Sequence, residues 1–469
     1  VEKVGEKVNK LNYSNYSKAY ESLEAENNVI EMPNRYFTVN NQGQQKFNAH
    51  LVKDEISKER PVYRTDLGNI MYKEGVYERV TVGDIKHVIH KKLGELATTS
   101  RDNEIINLLL HDKEFKSLKE FNSGANFFIL ENGIYNLTTK TFEKSFNPYL
   151  FSTYKFPVQY DPKAKCDELL NILNNVLEGD ELEFYIEWLA YCMAFNISPN
   201  YILFLYGKGE NGKSFLIYLM KKILGEKNIS GVPLDTLTNN RFASSQLYGK
   251  VANLNADISP ELLKDTSLLK QLTSGMDEIP AEFKGENMFT FVNYAKLTFS
   301  CNEMPSTVDR THGFNRRILI LPIEKVIPAE KQIAERELKM IADRNLSGFL
   351  NLVLEKYFIL KKRNFKFKDN NLPVSMLEAK LQYVYDNDKV QQFLDENIER
   401  TDSAKDSVVA KHLFEAFKKY CDENNMKSSG SRKFNSAIEE KGIILKTGAG
   451  NKKYAYQVKF KESSEYAPY

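Results

Sequence analysis

The spacing of apolar and polar positions divides the chain into stretches of different character. Residues 1–58 are polar, rich in Asn, Lys, Glu and Tyr, and carry little apolar periodicity, which predicts a polar arm or a loosely packed segment. From Val62 the pattern changes. Apolar and aromatic residues flank Glu74-Gly75 within 70–80, as in a β-hairpin, and helical spacing follows over 82–96 and 103–110. Two short strands are expected around Asn132-Gly133, so 59–160 read as a small α+β domain. Residues 161–199 read as a helical connector carrying the only tryptophan, Trp188.

The segment 201–206 is an unbroken apolar run, as expected of a strand buried on both faces of a parallel sheet. Phe215, Leu216, Leu219, Met220, Ile223 and Leu224 form a helical stripe beyond it. Three further strand-like runs carry polar residues at their ends: 249–259 leads to Asp257, 296–302 leads to Asn302, and a third starts after Arg316 and Arg317. A hairpin over 277–292 is expected with Lys284 near its tip, and helices over 328–343 and 346–360 close an α/β domain spanning 200–362. Residues 363–386 read as a linker. In 387–469, helices expected at 390–398, 408–424 and 431–441 precede a two-stranded segment at 443–459, which is the winged-helix order.

Chemistry concentrates between the first of these strands and its helix. Gly207-Lys208-Gly209-Glu210-Asn211-Gly212-Lys213-Ser214 has the spacing of a phosphate-binding loop. Its glycines let successive backbone N–H groups point at a phosphate, Lys213 can reach the β- and γ-phosphates, and the Ser214 hydroxyl can ligate Mg²⁺. The strand before and the helix after supply the context this motif needs, so nucleoside triphosphate binding is expected. An acid such as Asp257 at a strand's carboxyl edge can hold Mg²⁺ through water, although an Asp there also suits a helix N-cap. Asn302 can orient a γ-phosphate or a water, and Arg316 and Arg317 can stabilise a transferring phosphoryl group on a neighbouring subunit. Arg432 and Lys433 at the start of the third C-terminal helix, with Lys452 and Lys453 near the glycine-rich wing tip, suit contacts to DNA phosphates.

Composition changes this picture little. The net charge is +2 with 27% charged residues, so any grip on nucleic acid comes from local basic patches. Four scattered cysteines, with no paired spacing, predict buried thiols in a reducing compartment and no structural zinc. His87 and His90 mark one helix face. No apolar run approaches membrane-spanning length, and the expectation is a cytoplasmic protein. The chain begins with Val1, which leaves room for an upstream segment.

Taken together, Gly207–Ser214, Asp257, Glu282-Phe-Lys-Gly285, Phe299-Ser-Cys-Asn-Glu-Met-Pro305 and Gly313-Phe-Asn-Arg-Arg-Ile318 resemble the motif series of superfamily 3 helicases. Within them the chain is similar to the phage, plasmid and poxvirus primase-helicase type, and to the replication-initiator helicases of staphylococcal chromosomal islands. Asn132-Gly-Ile-Tyr-Asn-Leu137 resembles the helicase-associated region of that group. The resemblance implies an AAA+ ring, usually hexameric, with ATP and Mg²⁺ held between subunits and movement 3′ to 5′ on single-stranded or forked DNA. It assigns Asp257 as the Walker B acid, Asn302 as sensor 1, Arg317 (with Arg316 as the near alternative) as the arginine finger, and Lys284 as the channel residue touching the DNA backbone. The C-terminal domain would dock on origin duplex. Many relatives carry paired acids where this chain has Asp257 alone, which leaves Glu210 and Glu303 as candidates for activating water. No primase constellation is found, and a primase upstream of Val1, or an origin-melting ATPase without processive unwinding, are the alternative readings.

Overall fold

A computed structural model describes residues 33–65, 68–111, 121–122, 126–195, 197–209, 211–240, 242–256, 258–285, 287–328, 330, 332–403, 405–424 and 426–467. The chain separates into two units, Val1–Gly124 with Phe146–Tyr154, and Ala125–Ser145 with Lys155–Tyr469.

Of the stretch expected as a polar arm or loosely packed segment, residues 1–32 lie outside the described residues, 38–46 are exposed, and 49–58 fall in a packed helix. Helix Ala49–Glu59 is capped by Asn48, whose side chain accepts from His50 N, and it buries Ala49, Val52 and Ile56 at helical spacing. Only every third or fourth residue is apolar there, which is why the stretch looks structureless in composition. Antiparallel strands Val62–Thr65, Gly68–Lys73 and Val76–Val80 follow, then helices Val82–Leu93 and Thr99–His111. Val52, Ile56, Val62, Met71, Ile85, Ile89, Ile105 and Leu109 share one core.

The second unit is built on five strands, numbered here β1 (Ile202–Tyr206), β2 (Ile229–Ser230), β3 (Ala252–Asn255), β4 (Lys296–Cys301) and β5 (Ile318–Pro322). They pair in the order β2-β3-β4-β1-β5, all parallel. β4 and β5 are buried at every position, consistent with runs that lack polar alternation. On one face lies helix Gly179–Met193, expected as part of a connector but buried along most of its length. Its Trp188 indole donates to the Thr298 hydroxyl of β4 at 2.9 Å, and Tyr185 donates to Leu216 O at 2.7 Å. The hairpin strands Phe127–Leu130 and Gly133–Asn136, expected with the preceding α+β domain, fall in this unit.

Two further expectations are corrected. Residues 335–362 form a single helix rather than two, because Asn345, the apparent break, turns its amide back onto Ile341 O at 2.8 Å and reaches Glu168 at 3.2 Å. Gly348 within it permits close approach, since a Cβ there would sit 2.3 Å from the backbone at Lys165. The supposed linker contains helix Val374–Asp386, whose Tyr383 enters the core beside Phe314, Ile318 and Ile320. Beyond it, helices Lys389–Asn397, Ala410–Glu423 and Ser431–Glu440 pack Phe393, Phe417 and Phe434 together. Strands Ser407–Val409, Ile444–Thr447 and Lys453–Tyr456 form a sheet beside them. No helix among the described residues is long and apolar enough to cross a membrane.

Lys296, at the start of β4, is fully buried; its ammonium donates to Ala194 O and lies 5.5 Å from the Tyr191 ring centroid. Burial pushes its pKa down to about 7, opposed weakly by Cys192. The unfolded lysine titrates near pH ~10.4, so between about pH 7 and that value the unfolded chain binds more protons and stability rises with pH. Below that window both states are charged and the slope vanishes. Lys296→Met should therefore raise the urea midpoint at neutral pH, with the gain over wild type shrinking toward pH ~10. An identical pH slope in the two proteins would contradict a buried charge cost at this position.

Candidate nucleotide site and nucleic-acid interface

The loop after β1 leaves the sheet between its two neighbours. Ile323, just past β5, donates its N–H to Tyr206 O at 2.7 Å, and Gly207 N donates to Cys301 O at the end of β4 at 3.2 Å. This close fit requires glycine. A Cβ on Gly207 would lie 2.2 Å from Ile323 O, and one on Gly212, where φ is +89°, would lie 2.8 Å from Val176 Cγ2. Asn211 fastens the loop through its amide to Ile323 O at 2.5 Å. Lys213 opens helix Lys213–Leu224 yet is itself buried, and its ammonium donates to Gly207 O (2.5 Å), Lys208 O (2.9 Å) and Asn211 Oδ1 (3.0 Å). Lys208, Gly209 and Ser214 are exposed. The arrangement suits a polyphosphate: the helix N-terminus offers positive potential, and charge-assisted contacts can draw Lys213 off neutral carbonyls. A glycine cradle that a Cβ would fill, and an exposed hydroxyl on the helix's first turn, fit the phosphates and a hard cation respectively.

The carboxyl edge of the sheet brings further groups to this loop. Cys301 pairs with Tyr206 in the β4–β1 register, so Asn302 emerges exposed beside Gly207. Burial pushes the neighbouring Cys301 thiol up to about 12, with Lys213 opposing, so it stays protonated. Asp257 and Glu210 lie outside the described residues. The chain on either side of Asp257 runs along this edge: Asn255 pairs with Phe299, and Ile258 N donates to Ser300 O at 3.0 Å. Glu303 is exposed next to Asn302.

Arg316 and Arg317 stand at the other edge. Arg317 O accepts from Ile202 N at 2.8 Å where β5 and β1 begin, whereas the glycine loop lies where β1 ends. A five-residue strand separates the two edges by about 16 Å, beyond the reach of either side chain. Arg317 is engaged internally: Nε donates to Thr273 Oγ1 at 2.9 Å and a terminal nitrogen donates to Gly313 O. Burial, then the charge of Arg316, lowers its pKa. Arg316 is exposed. The role of Thr273 was invisible in the sequence, since a lone threonine at the end of a short helix carries no signal.

The expected hairpin is formed by Glu278–Ala281 and Phe289–Val292. Lys284 is exposed at its turn, next to Gly285 with φ +84°. Phe283 stacks on Phe289 at 5.1 Å, and Tyr248 packs edge-on to Phe289 and Phe291 at 5.1 and 5.5 Å, which stiffens the base of the tip. Arg432 and Lys433 are exposed on the first turn of Ser431–Glu440, and Lys452 and Lys453 are exposed where the last strand pair turns. In the first unit His90 is paired with Asp102 at 2.7 Å, and the described residues contain no cluster of three metal-binding side chains.

The loop geometry yields a direct test. Gly207→Ala and Gly212→Ala should each lower stability by about 1–3 kcal/mol through steric strain, whereas Gly209, which faces open space, should tolerate alanine in the nucleotide-free protein. Chemical denaturation of the three variants checks this, and equal losses at all three glycines would contradict the loop conformation.

Residues 49–178 match the family described as D5 N terminal like, and residues 205–317 match a family of unknown function, DUF5906. Among curated proteins the chain is similar to V13 of Sputnik virophage, 24% identical over 78% of this chain and 47% of that protein. It is likewise similar to 121R of Invertebrate iridescent virus 3 (24%, covering 72% and 39%) and to L207/L206 of Acanthamoeba polyphaga mimivirus (25%, covering 67% and 35%). Each of these carries a name that assigns it, by inference, as a helicase. The chain spans less than half the length of these relatives. Its fold is similar to the A form apo structure of the NrS-1 C terminal region, with a TM-score of 0.50 at 13% identity, covering 87% of this chain and 98% of that one.

Proposed function

We propose that the chain is an ATP-driven, Mg²⁺-dependent DNA helicase of the superfamily 3 type, built on an AAA+ core and acting as a ring of identical subunits. The carrying observation is the placement of the glycine loop and Asn302 at one edge of a β2-β3-β4-β1-β5 sheet with Arg316 and Arg317 at the opposite edge. That separation makes little sense inside one chain and good sense in a ring, where each subunit offers its loop to one neighbour and its arginines to the other. Similarity to viral proteins named as helicases supports the same reading.

In this reading the loop N–H groups and Lys213 bind and orient the triphosphate; Ser214 and Asp257 would hold Mg²⁺, which would supply neutralisation of phosphate charge. Asn302 orients the attacking water. Arg316, exposed, completes the neighbour's site as arginine finger, while Arg317, tied to Thr273 and Gly313, braces it. Lys284 grips the DNA backbone at the tip of an aromatic-stiffened hairpin without reading sequence. The C-terminal helices and strands, as a winged helix, dock on duplex through Arg432, Lys433, Lys452 and Lys453, which suits an initiator acting at a replication origin of a mobile element, such as a staphylococcal island. The domain limits proposed are an ATPase region within 200–362 and a DNA-docking region within 387–469, joined by a helix rather than a flexible linker.

Displacement of a labelled strand from forked DNA, with tails of each polarity, tests the motor. Wild type is expected to unwind forks carrying a 3′ tail only when ATP is present. Lys213→Ala should lose hydrolysis and unwinding by at least about 100-fold, as expected for removal of a charged phosphate contact. ATP hydrolysis that DNA stimulates but that displaces no strand would point instead to an origin-melting ATPase.

A further inference from the structure

The helix that replaces the expected linker grips one particular loop. Residues 303–311 follow Asn302, which lies on the glycine-loop edge, and lead to Arg316 and Arg317 on the opposite edge. Three consecutive contacts from the helix and its end hold this loop: Tyr383 donates to Pro305 O at 3.0 Å, Asn387 Oδ1 accepts from Thr307 N at 2.7 Å, and Asp388 pairs with Arg310 at 3.2 Å. From the other side, Leu263 N donates to Ser306 O at 2.8 Å, and Lys270 pairs with Asp309 at 2.9 Å. A loop pinned on both sides cannot shift alone. Any displacement of Asn302 or of the arginines is passed to residues 383–388.

Asp388 extends the connection. Its carboxylate also pairs with Lys441 at 2.5 Å and caps helix Lys389–Asn397 by accepting from Gln391 N at 3.1 Å. Lys441 is the C-terminal cap residue of Ser431–Glu440, the helix that carries Arg432 and Lys433. One carboxylate thus joins the loop between the nucleotide groups and the arginines to two helices of the C-terminal unit. The Asp388 and Lys441 side chains are only 18% and 19% exposed, so salt and water screen this pair less than a surface pair.

We propose that Asp388 is a positioning residue that couples the two ends of the molecule: nucleotide bound at Gly207–Ser214 changes the affinity of the C-terminal helices for duplex DNA, and duplex DNA changes nucleotide turnover, through Arg310–Asp388–Lys441. This rests on the ATPase and DNA-docking reading above. The coupling is reciprocal by thermodynamic necessity for binding, and the arrangement gives it a path made of three side chains.

The test compares wild type with Asp388→Asn, Arg310→Gln and Lys441→Gln in the full chain. Asparagine retains an oxygen to cap the helix while removing the charge, so the fold is kept and the pairs are lost. Two quantities are read: duplex-DNA affinity with and without a non-hydrolysable ATP analogue, and ATP hydrolysis with and without duplex DNA. Wild type should show a nucleotide-dependent change in affinity of about 5-fold or more, and each variant a ratio near one with basal hydrolysis essentially unchanged. A ratio that survives in Asp388→Asn overturns the coupling, as does basal hydrolysis that falls in parallel with it, which would mark a merely structural role. Wild type that hydrolyses ATP and binds duplex without mutual influence overturns the coupling alone; wild type that does neither overturns the functional reading and the coupling with it.

Discussion

The register that holds β1 between β4 and β5 is the constraint from which the rest of the larger unit follows. These strands are parallel and buried on both faces, so their hydrogen bonds have no solvent substitute, and a slip in pairing would leave buried backbone groups unpaired. Held in this register, Gly207 leaves the sheet against Cys301 O and Ile323, Asn302 emerges beside it, and Arg317 O meets Ile202 N at the far edge. The course of the glycine loop is thus an outcome of sheet pairing as much as of its own glycines.

Within that frame the loop's own polar groups hold one another. Lys213 folds its ammonium onto two loop carbonyls and an amide oxygen, which offsets part of the cost of burying its charge. Charge-assisted contacts to a phosphate would be stronger than these, which suits the loop to an anion. The arginines divide in the same way. Arg317 is engaged at the base of β5, and Arg316 is exposed.

Much of this was legible in the sequence wherever a signal was local. The apolar run 201–206, the glycine spacing after it and the run 296–302 each forecast a strand or loop that forms within a residue or two of expectation. The hairpin around Lys284 was legible because apolar residues flank a glycine turn. What stayed hidden depended on distant partners. Helix Ala49–Glu59 has too few apolar residues to stand out until Val52 and Ile56 meet the core, and Asn345 looks like a break until Glu168 and Ile341 O receive its amide. Residues 363–386 looked like a linker because their front is polar, although Pro373 marks a helix start and Met376 and Tyr383 fall on its buried face. Which sheet edge carries the arginines is a matter of strand direction that no local pattern reveals.

The central claim is that each nucleotide site is shared by two chains, and mixing inactive variants tests it most directly. Lys213→Ala lacks a working loop, and Arg316→Ala lacks the outward arginine; each alone should hydrolyse ATP at a small fraction of the wild-type rate. Mixed, they create junctions in which the intact loop of one faces the intact arginine of the other. The account predicts that the mixture regains a measurable part of wild-type hydrolysis, rising with protein concentration. A mixture no more active than its components, or an Arg316→Ala variant that hydrolyses ATP as wild type does, would contradict it.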